Sequence, residues 1–198
     1  MSCHKACYTY FLGGAILTKH ISTPLTKDVA KTLSAGDIIA ITGTIYTARD
    51  AAHKRMVEDY EAKKALPFNI ENAIIYYAGP SPAKPNHVIG SAGPTTSYRM
   101  DSYAPFLIDK GLTGMIGKGS RNEDVIQAMK KNTAVYFAAT GGAAALMSNQ
   151  IKACKVIAYD DLGAEAVHEL YVEDFPCIVV IDSLGNNLYE TEKQKYKR

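Results

Sequence analysis

Four short apolar runs, each cut off by glycine or other small residues, constrain this chain more than anything else in it. Ile38–Thr42 ends at Gly43, and Ala73–Ala78 ends at Gly79. Met115-Ile116-Gly117 leads into Lys118-Gly119-Ser120, and Ala134–Ala139 leads into Thr140-Gly141-Gly142. Apolar runs of this length bounded by turn residues read as strands. Helix-like sequence lies between them, and strands alternating with helices imply an α/β domain with a largely parallel sheet. Ligands of such sheets sit outside the carboxyl ends of the strands. The junctions after these runs are therefore where function is sought.

The junctions also carry helix-start signals. Thr47 and Asp50 resemble a capping box, with Asp in place of Glu, for a helix to about Lys64. This puts Arg49 in the first helical turn, where a cation is unfavourable unless an anion meets it. Ser120 and Glu123 form a second such box for a helix to about Lys131. Earlier, Ser22–Thr26 reads as a turn and a short helix runs to about Leu33. Pro105 near the start and Gly111 at the end frame a helix over Ser102–Lys110. Ala143–Gln150 reads as a small-residue helix, and Val156–Tyr159 and Ile178–Asp182 as strands. Glu165–Glu173 fits a helix or an extended arm. Leu184–Leu188 reads as a turn into a final strand.

The densest chemistry lies in Ser91–Asp101, SAGPTTSYRMD, reached through the proline-rich loop Gly79–Pro94. Gly93 and Pro94 enforce a turn. With a helix starting near Thr95, Arg99 falls four residues on and shares its face. A hydroxyl beside a fixed cation at a helix start suits a carboxylate. The plain alternative is a capped helix with a solvated arginine. Asp101 either orients Arg99 or caps the next helix. Lys118, between Gly117 and Gly119, can approach a ligand closely. A lone histidine such as His87 is more often structural than basic.

Bulk properties narrow the function classes. The 198 residues suffice for one substantial domain, and a net charge of +2 gives no field that argues for nucleic acid. No stretch approaches the roughly 20 apolar residues of a membrane span. The cysteines at 3, 7, 154 and 177 are too irregular for a disulfide framework, so a reducing, cytoplasmic setting is expected. Cys3-His4-Lys5-Ala6-Cys7 resembles half of a metal site without its second half. Cys154 and Cys177 read as buried small hydrophobes. Residues 1–17 are read as an N-terminal extension, 18–190 as the domain, and 191–198 as a basic tail.

Five motifs taken in order make the chain recognisable: GTIYTARDAAHKRM (43–56), GPSPAKP (79–85), SAGPTTSYRMD (91–101), MIGKGSR (115–121) and ATGGAAALMS (139–148). Together they resemble the β subunit of the class I, iron–sulfur fumarate hydratase and L(+)-tartrate dehydratase family, from about Thr18 to about Glu190. The same segment forms the C-terminal domain of single-chain members. The resemblance implies a swivelling β/β/α domain. It implies that the α subunit carries a [4Fe–4S] cluster, that this chain binds none, and that the two make a hetero-oligomer. It also implies that Arg49, Lys118 and the segment Thr95, Thr96, Ser97, Tyr98 and Arg99 contact a dicarboxylate. Within that set Thr95, Arg99 and Lys118 are the catalytic candidates, with Thr95 as base or part of a base assembly. His53 and His87 are possible relays. The expected reaction is reversible hydration of fumarate to malate. Tartrate dehydration and a non-catalytic dicarboxylate-binding module are the alternatives.

Overall fold

The computed structural model describes residues 8–11, 14–83, 85, 87–139 and 144–195. Its chain order is β1 (Tyr8–Phe11), β2 (Gly14–Ser22), α1 (Lys27–Ala30), β3 (Ile38–Thr47), α2 (Asp50–Glu61) and β4 (Ile74–Tyr76). There follow α3 (Ala104–Asp109), β5 (Gly114–Gly117), α4 (Glu123–Asn132), β6 (Val135–Ala139) and α5 (Ala144–Asn149). The chain ends with β7 (Ile151–Ala158), β8 (Val167–Ile181) and α6 (Leu188–Lys195). The α/β class expected from the strand–helix alternation is present.

The sheet is mixed and closes on itself. Strands β2 to β6 pair in parallel in sequence order, and β8 then pairs antiparallel with β6, β7 and β3. The β3–β8 ladder converts the sheet into a ring of β3, β4, β5, β6 and β8. The largely parallel sheet is therefore corrected to a barrel-like ring with one long antiparallel strand. Closure removes the exposed edges that an open sheet of these strands would present.

Period-two alternation explains why the short strands are apolar throughout. Ile74 and Tyr76 join the cluster that includes Ile116, Phe137, Leu170 and Phe175, inside the ring. Their neighbours Ile75 and Tyr77 join Met115, Tyr136, Met56, Leu107 and Met129, under α2, α3 and α4. Both faces of each strand are covered, so both must be apolar.

Several local expectations change. Gly43 does not end β3. It sits at a register shift against β8, with φ +125° and the Thr23 side chain where a Cβ would go. The strand bends through a bulge there and continues. Thr47 is consequently a buried strand residue whose hydroxyl accepts from His168 N at 3.1 Å, and it caps nothing. Arg49 is the N-cap residue of α2, one step before the first turn. Asn122, not Ser120, caps α4, accepting from Val125 N at 3.0 Å. Of Glu165–Glu173, Glu165 closes a 3-10 turn (Asp160–Glu165) and the stretch from Val167 is extended, the start of β8, which continues through Ile178 as one strand. The last element is the helix α6, not a strand. Cys177 is buried, whereas Cys154 is only partly so. Cys3, His4, Cys7 and the pair Gly141-Gly142 lie outside the described residues.

Candidate active site

The parallel strands β3, β4, β5 and β6 all end at one rim of the ring, and β8 begins there, with Thr47 opposite His168. Each rim junction contributes one part of the site. Arg49 follows β3, the loop from Gly79 returns to Thr95 beside β4, and Lys118 follows β5. Thr95 N donates to Tyr77 O at 2.7 Å, and Pro94 bridges Ala78, so the loop is tied back to the strand it left.

Thr96 is extended, and Thr95 lies outside any helix. A short 3-10 turn begins only at Ser97 and runs to Met100. The helix expected from Thr95 is therefore absent, and Thr95 and Arg99 are not stacked on one helical face. They are brought to the rim by different means. Thr96 bridges Lys118 in parallel, which aligns the two loops. Arg99 Nη2 donates to Asp50 Oδ2 at 2.8 Å, which reaches across to the start of α2. Tyr98 is two-thirds exposed, at 67%.

Arg49 answers the question of how a cation tolerates a helix start. Its Nη2 lies 3.0 Å from Glu165 Oε1 and 3.9 Å from Asp50 Oδ1. Glu165 Oε2 also accepts from Ala51 N at 3.1 Å, satisfying one of the free amides of α2. The acidic group that caps the helix thus comes from the arm before β8, 114 residues away. The Arg49 side chain lies across Gly79, where a Cβ would stand 3.0 Å from its Nη1 and 2.8 Å from Ala164 O. Arg49, Asp50, Arg99 and Glu165 form one network of alternating charge. Arg49 Nε and Asp50 Oδ1 are buried in it without hydrogen-bond partners. Lys118 differs from both arginines. Its side chain is exposed and makes no hydrogen bond or ion pair among the described residues.

Behind the rim lies a polar layer that the sequence did not disclose. Asp101 neither orients Arg99 nor caps α3. Its carboxylate accepts from Arg121 Nε at 2.7 Å and from Asn122 N at 2.7 Å. The Arg121 side chain is fully buried between the rings of Tyr77 and Tyr136, 5.3 and 5.1 Å from their centroids. His53 is fully buried with its Nδ1 2.9 Å from Arg49 O, edge-on to Tyr77. Burial, followed by the nearby Arg121 charge, pushes its pKa down to about 4, so it is neutral at ordinary pH. Neither His53 nor the exposed His87 hydrogen-bonds to Thr95. Ser97 is also fully buried, its hydroxyl 2.8 Å from Tyr136 Oη and accepting from Lys118 N at 3.1 Å.

Chemically, the rim offers two arginines fixed by carboxylates, an ammonium unpaired among the described residues and two partly exposed threonines at the mouth of a closed barrel. Forked guanidiniums and a mobile point charge together suit a small, multiply charged anion. Glu165, Arg121, Tyr77 and Tyr136 carry no sequence signal of these contacts because their partners are remote along the chain, and Asp50 and Asp101 take roles other than the caps expected of them. The Tyr pair had a signal in hindsight: both lie in otherwise aliphatic strands.

Comparison with known proteins identifies the family. The family described as fumarase C-terminus matches residues 4–192. A protein of Methanocaldococcus jannaschii with the provisional name L(+)-tartrate dehydratase subunit beta is 42% identical, covering 86% of this chain and 91% of its own. The anaerobic class I fumarate hydratase of Escherichia coli is 40% identical over 77% of this chain, but over only 28% of its own length. Fumarate hydratase 1, mitochondrial, of Leishmania major is 41% identical, with the same coverage of 77% and 28%. The chain thus spans nearly all of one relative and little more than a quarter of the others.

Proposed function

The chain belongs to the fumarase C-terminus family, and from that premise we propose that it is the β-type part of a hydro-lyase acting on a four-carbon dicarboxylate. Hydration of fumarate to malate is the first reading, with an α partner supplying the rest of the site in a hetero-oligomer. The closed barrel is read as the swivelling domain of that assembly. One observation carries the proposal: Arg49, Thr95, Arg99 and Lys118, from three separate junctions, converge on one rim of the ring.

Dehydration removes a proton from the carbon beside one carboxylate, and the electron pair left behind spreads into that carboxylate as a dianion. Preorganised cations stabilise such charge best where water is excluded. Arg49 and Arg99 meet that demand because Glu165 and Asp50 hold them in place before substrate arrives. Lys118 is the cation with charge to spare. In this reading Thr95, on the same rim, hydrogen-bonds the substrate or takes its proton. A threonine hydroxyl needs neighbouring cations to act as a base at neutral pH. His53 cannot relay that proton directly, since Arg49 O occupies its Nδ1 and its Nε2 is enclosed.

The family's iron–sulfur cluster is assigned to the partner. Among the described residues no group of three His, Cys, Asp or Glu side chains is gathered to hold a metal ion. Cys177 is locked in the core and Cys154 lies on β7. Neither of these two described cysteines is placed to hold a cluster, and in this reading the part of the reaction in which hydroxide departs belongs to the partner. Dehydration of L(+)-tartrate is the second reading, favoured by the 42% identity over 91% of the Methanocaldococcus protein.

Co-expression with the candidate α partner under anaerobic conditions tests the proposal. Fumarate formation from malate, and oxoacid formation from each tartrate isomer, are followed beside Arg99→Ala and Thr95→Ala. Activity that needs both chains and falls on the order of 10²–10³-fold in the arginine variant is expected. An intact assembly with no turnover on any of these acids would replace the enzyme by a dicarboxylate-binding module.

A further inference from the structure

Lys118 combines an untethered side chain with a backbone that is fixed on every side. Its N–H donates to Ser97 Oγ at 3.1 Å, and its carbonyl accepts from Ser97 N at 2.9 Å. One buried serine thus grips both backbone groups of the lysine. The next residue is gripped as well, since Tyr136 Oη donates to Gly119 O at 2.9 Å. A carbonyl can only accept, so the single phenolic proton is spent there. The 2.8 Å contact between Ser97 Oγ and Tyr136 Oη must then be donated by the serine.

Every proton in the circuit is therefore placed. It runs from Lys118 N–H to Ser97 Oγ–H, to Tyr136 Oη–H, to Gly119 O. Burial pushes the Tyr136 phenol far above its ordinary pKa, so it keeps the proton that the circuit needs. Gly117 makes room for the arrangement: a Cβ there would stand 2.0 Å from Ser97 Oγ. Buried hydroxyls with all their partners matched hold one geometry far better than an exposed loop would.

We infer that Ser97 and Tyr136 are positioning residues for Lys118, fixing the peptide from which its ammonium reaches the substrate. The inference rests on the proposed reading for the word substrate, but its geometry does not. Ser97 accordingly acts on the lysine loop rather than touching the dicarboxylate, and Tyr136 joins the site from β6 without reaching solvent.

A double-mutant cycle in the two-chain enzyme tests this. Ser97→Ala and Tyr136→Phe are each expected to lower kcat about tenfold, the scale of one buried hydrogen bond, with KM held within about twofold. Added to Lys118→Met, either change is expected to cost less than about twofold further, because coupled residues are not additive. A full tenfold loss that persists without the lysine would overturn the inference, as would undiminished kcat in both single variants. Amide hydrogen exchange on this chain gives a second reading that needs no turnover. The Lys118 amide is expected to exchange about tenfold faster in Ser97→Ala, while amides of the β3–β8 ladder keep their rates. Equal Lys118 exchange in the two proteins would also overturn it. A wild-type assembly that turns over none of the acids would remove the hydro-lyase reading alone, and the exchange result would then decide the positioning claim.

Discussion

Replacing Asp101 with alanine should be among the most damaging single changes available outside the apolar core. The carboxylate is 7% exposed and the Arg121 side chain 0%. Both oxygens are used, one by Arg121 Nε and the other by Asn122 N, each at 2.7 Å. Removing the carboxylate leaves a guanidinium that water cannot reach, with Nη2 already lacking a partner. The two tyrosine faces attract the cation, by on the order of 1–2 kcal/mol each, but they were doing so before and replace nothing. Breaking a buried pair from one side costs about 3–5 kcal/mol. For a chain of this size that corresponds to a melting-temperature drop of about 6–20 °C. Thermal and urea unfolding followed by circular dichroism measure it directly. The exposed pair Lys131–Asp109, also close at 3.0 Å but 70% and 45% exposed, supplies the internal comparison. Lys131→Ala should cost no more than about 1 kcal/mol. Adding Arg121→Met to Asp101→Ala should recover part of the loss, since the stranded charge is then gone. A drop for Asp101→Ala no larger than that for Lys131→Ala would refute the reasoning, because the pair would then be hydrated like a surface one.

Further expectations concern the same layer. Gly117→Ala sets a methyl 2.0 Å from Ser97 Oγ and 2.9 Å from the Tyr77 ring, and should cost about 1–3 kcal/mol in urea unfolding. A loss below about 0.5 kcal/mol would mean that the Ser97 turn yields freely. His53 makes stability depend on pH. The unfolded chain takes up its proton near 6.5, whereas the folded chain resists down to about 4. Stability is therefore intact above pH 6.5 and falls as pH drops towards 4, by on the order of 3 kcal/mol. His53→Gln should flatten that part of the stability–pH curve, and an unchanged curve would contradict the burial argument.

What could be read in advance follows from the range of the forces involved. Strands β3 to β6 were legible because both their faces are covered, which leaves an uninterrupted apolar run in the sequence. Strand β8 looks like two pieces in the sequence, and its geometry explains why. Burial alternates through Leu170 and Val172, then changes phase before Phe175, Cys177 and Val179. Asp174 sits at the change with φ +49°, opposite the bulge at Gly43. A phase shift in one strand looks like the end of that strand when its partner is out of sight. The helix α6 has a local signal. Asn187 accepts from Tyr189 N and donates to Glu190, a local cap that resembles an N-terminal box. Arg49 and Lys118 were legible because they follow strand ends. The counter-charges of the arginines were not, because Glu165 reaches Arg49 and Asp50 reaches Arg99 only through the closed ring. The false capping box at Thr47 arose for the same reason: the bulge carries β3 four residues past the glycine that seemed to end it.

The β3–β8 ladder also sets the order of events when the chain is made. It joins Ile38 to Ile178 and Thr47 to His168, stretches well over a hundred residues apart. Everything from β2 to β6 can pair with its neighbour in sequence as it emerges, but β8 must be synthesised before the ring can shut. Until then β3 and β6 each present a bare row of amides and carbonyls, the condition in which unfinished sheets associate with one another. Contacts so distant along the chain also form slowly, because the long intervening loop must be closed first. A ribosome stalled before residue 167 would therefore hold a polypeptide with most of its strands and no barrel. Glu165 and the rest of the arm would be missing or unpaired, and Arg49 would have no carboxylate waiting for it.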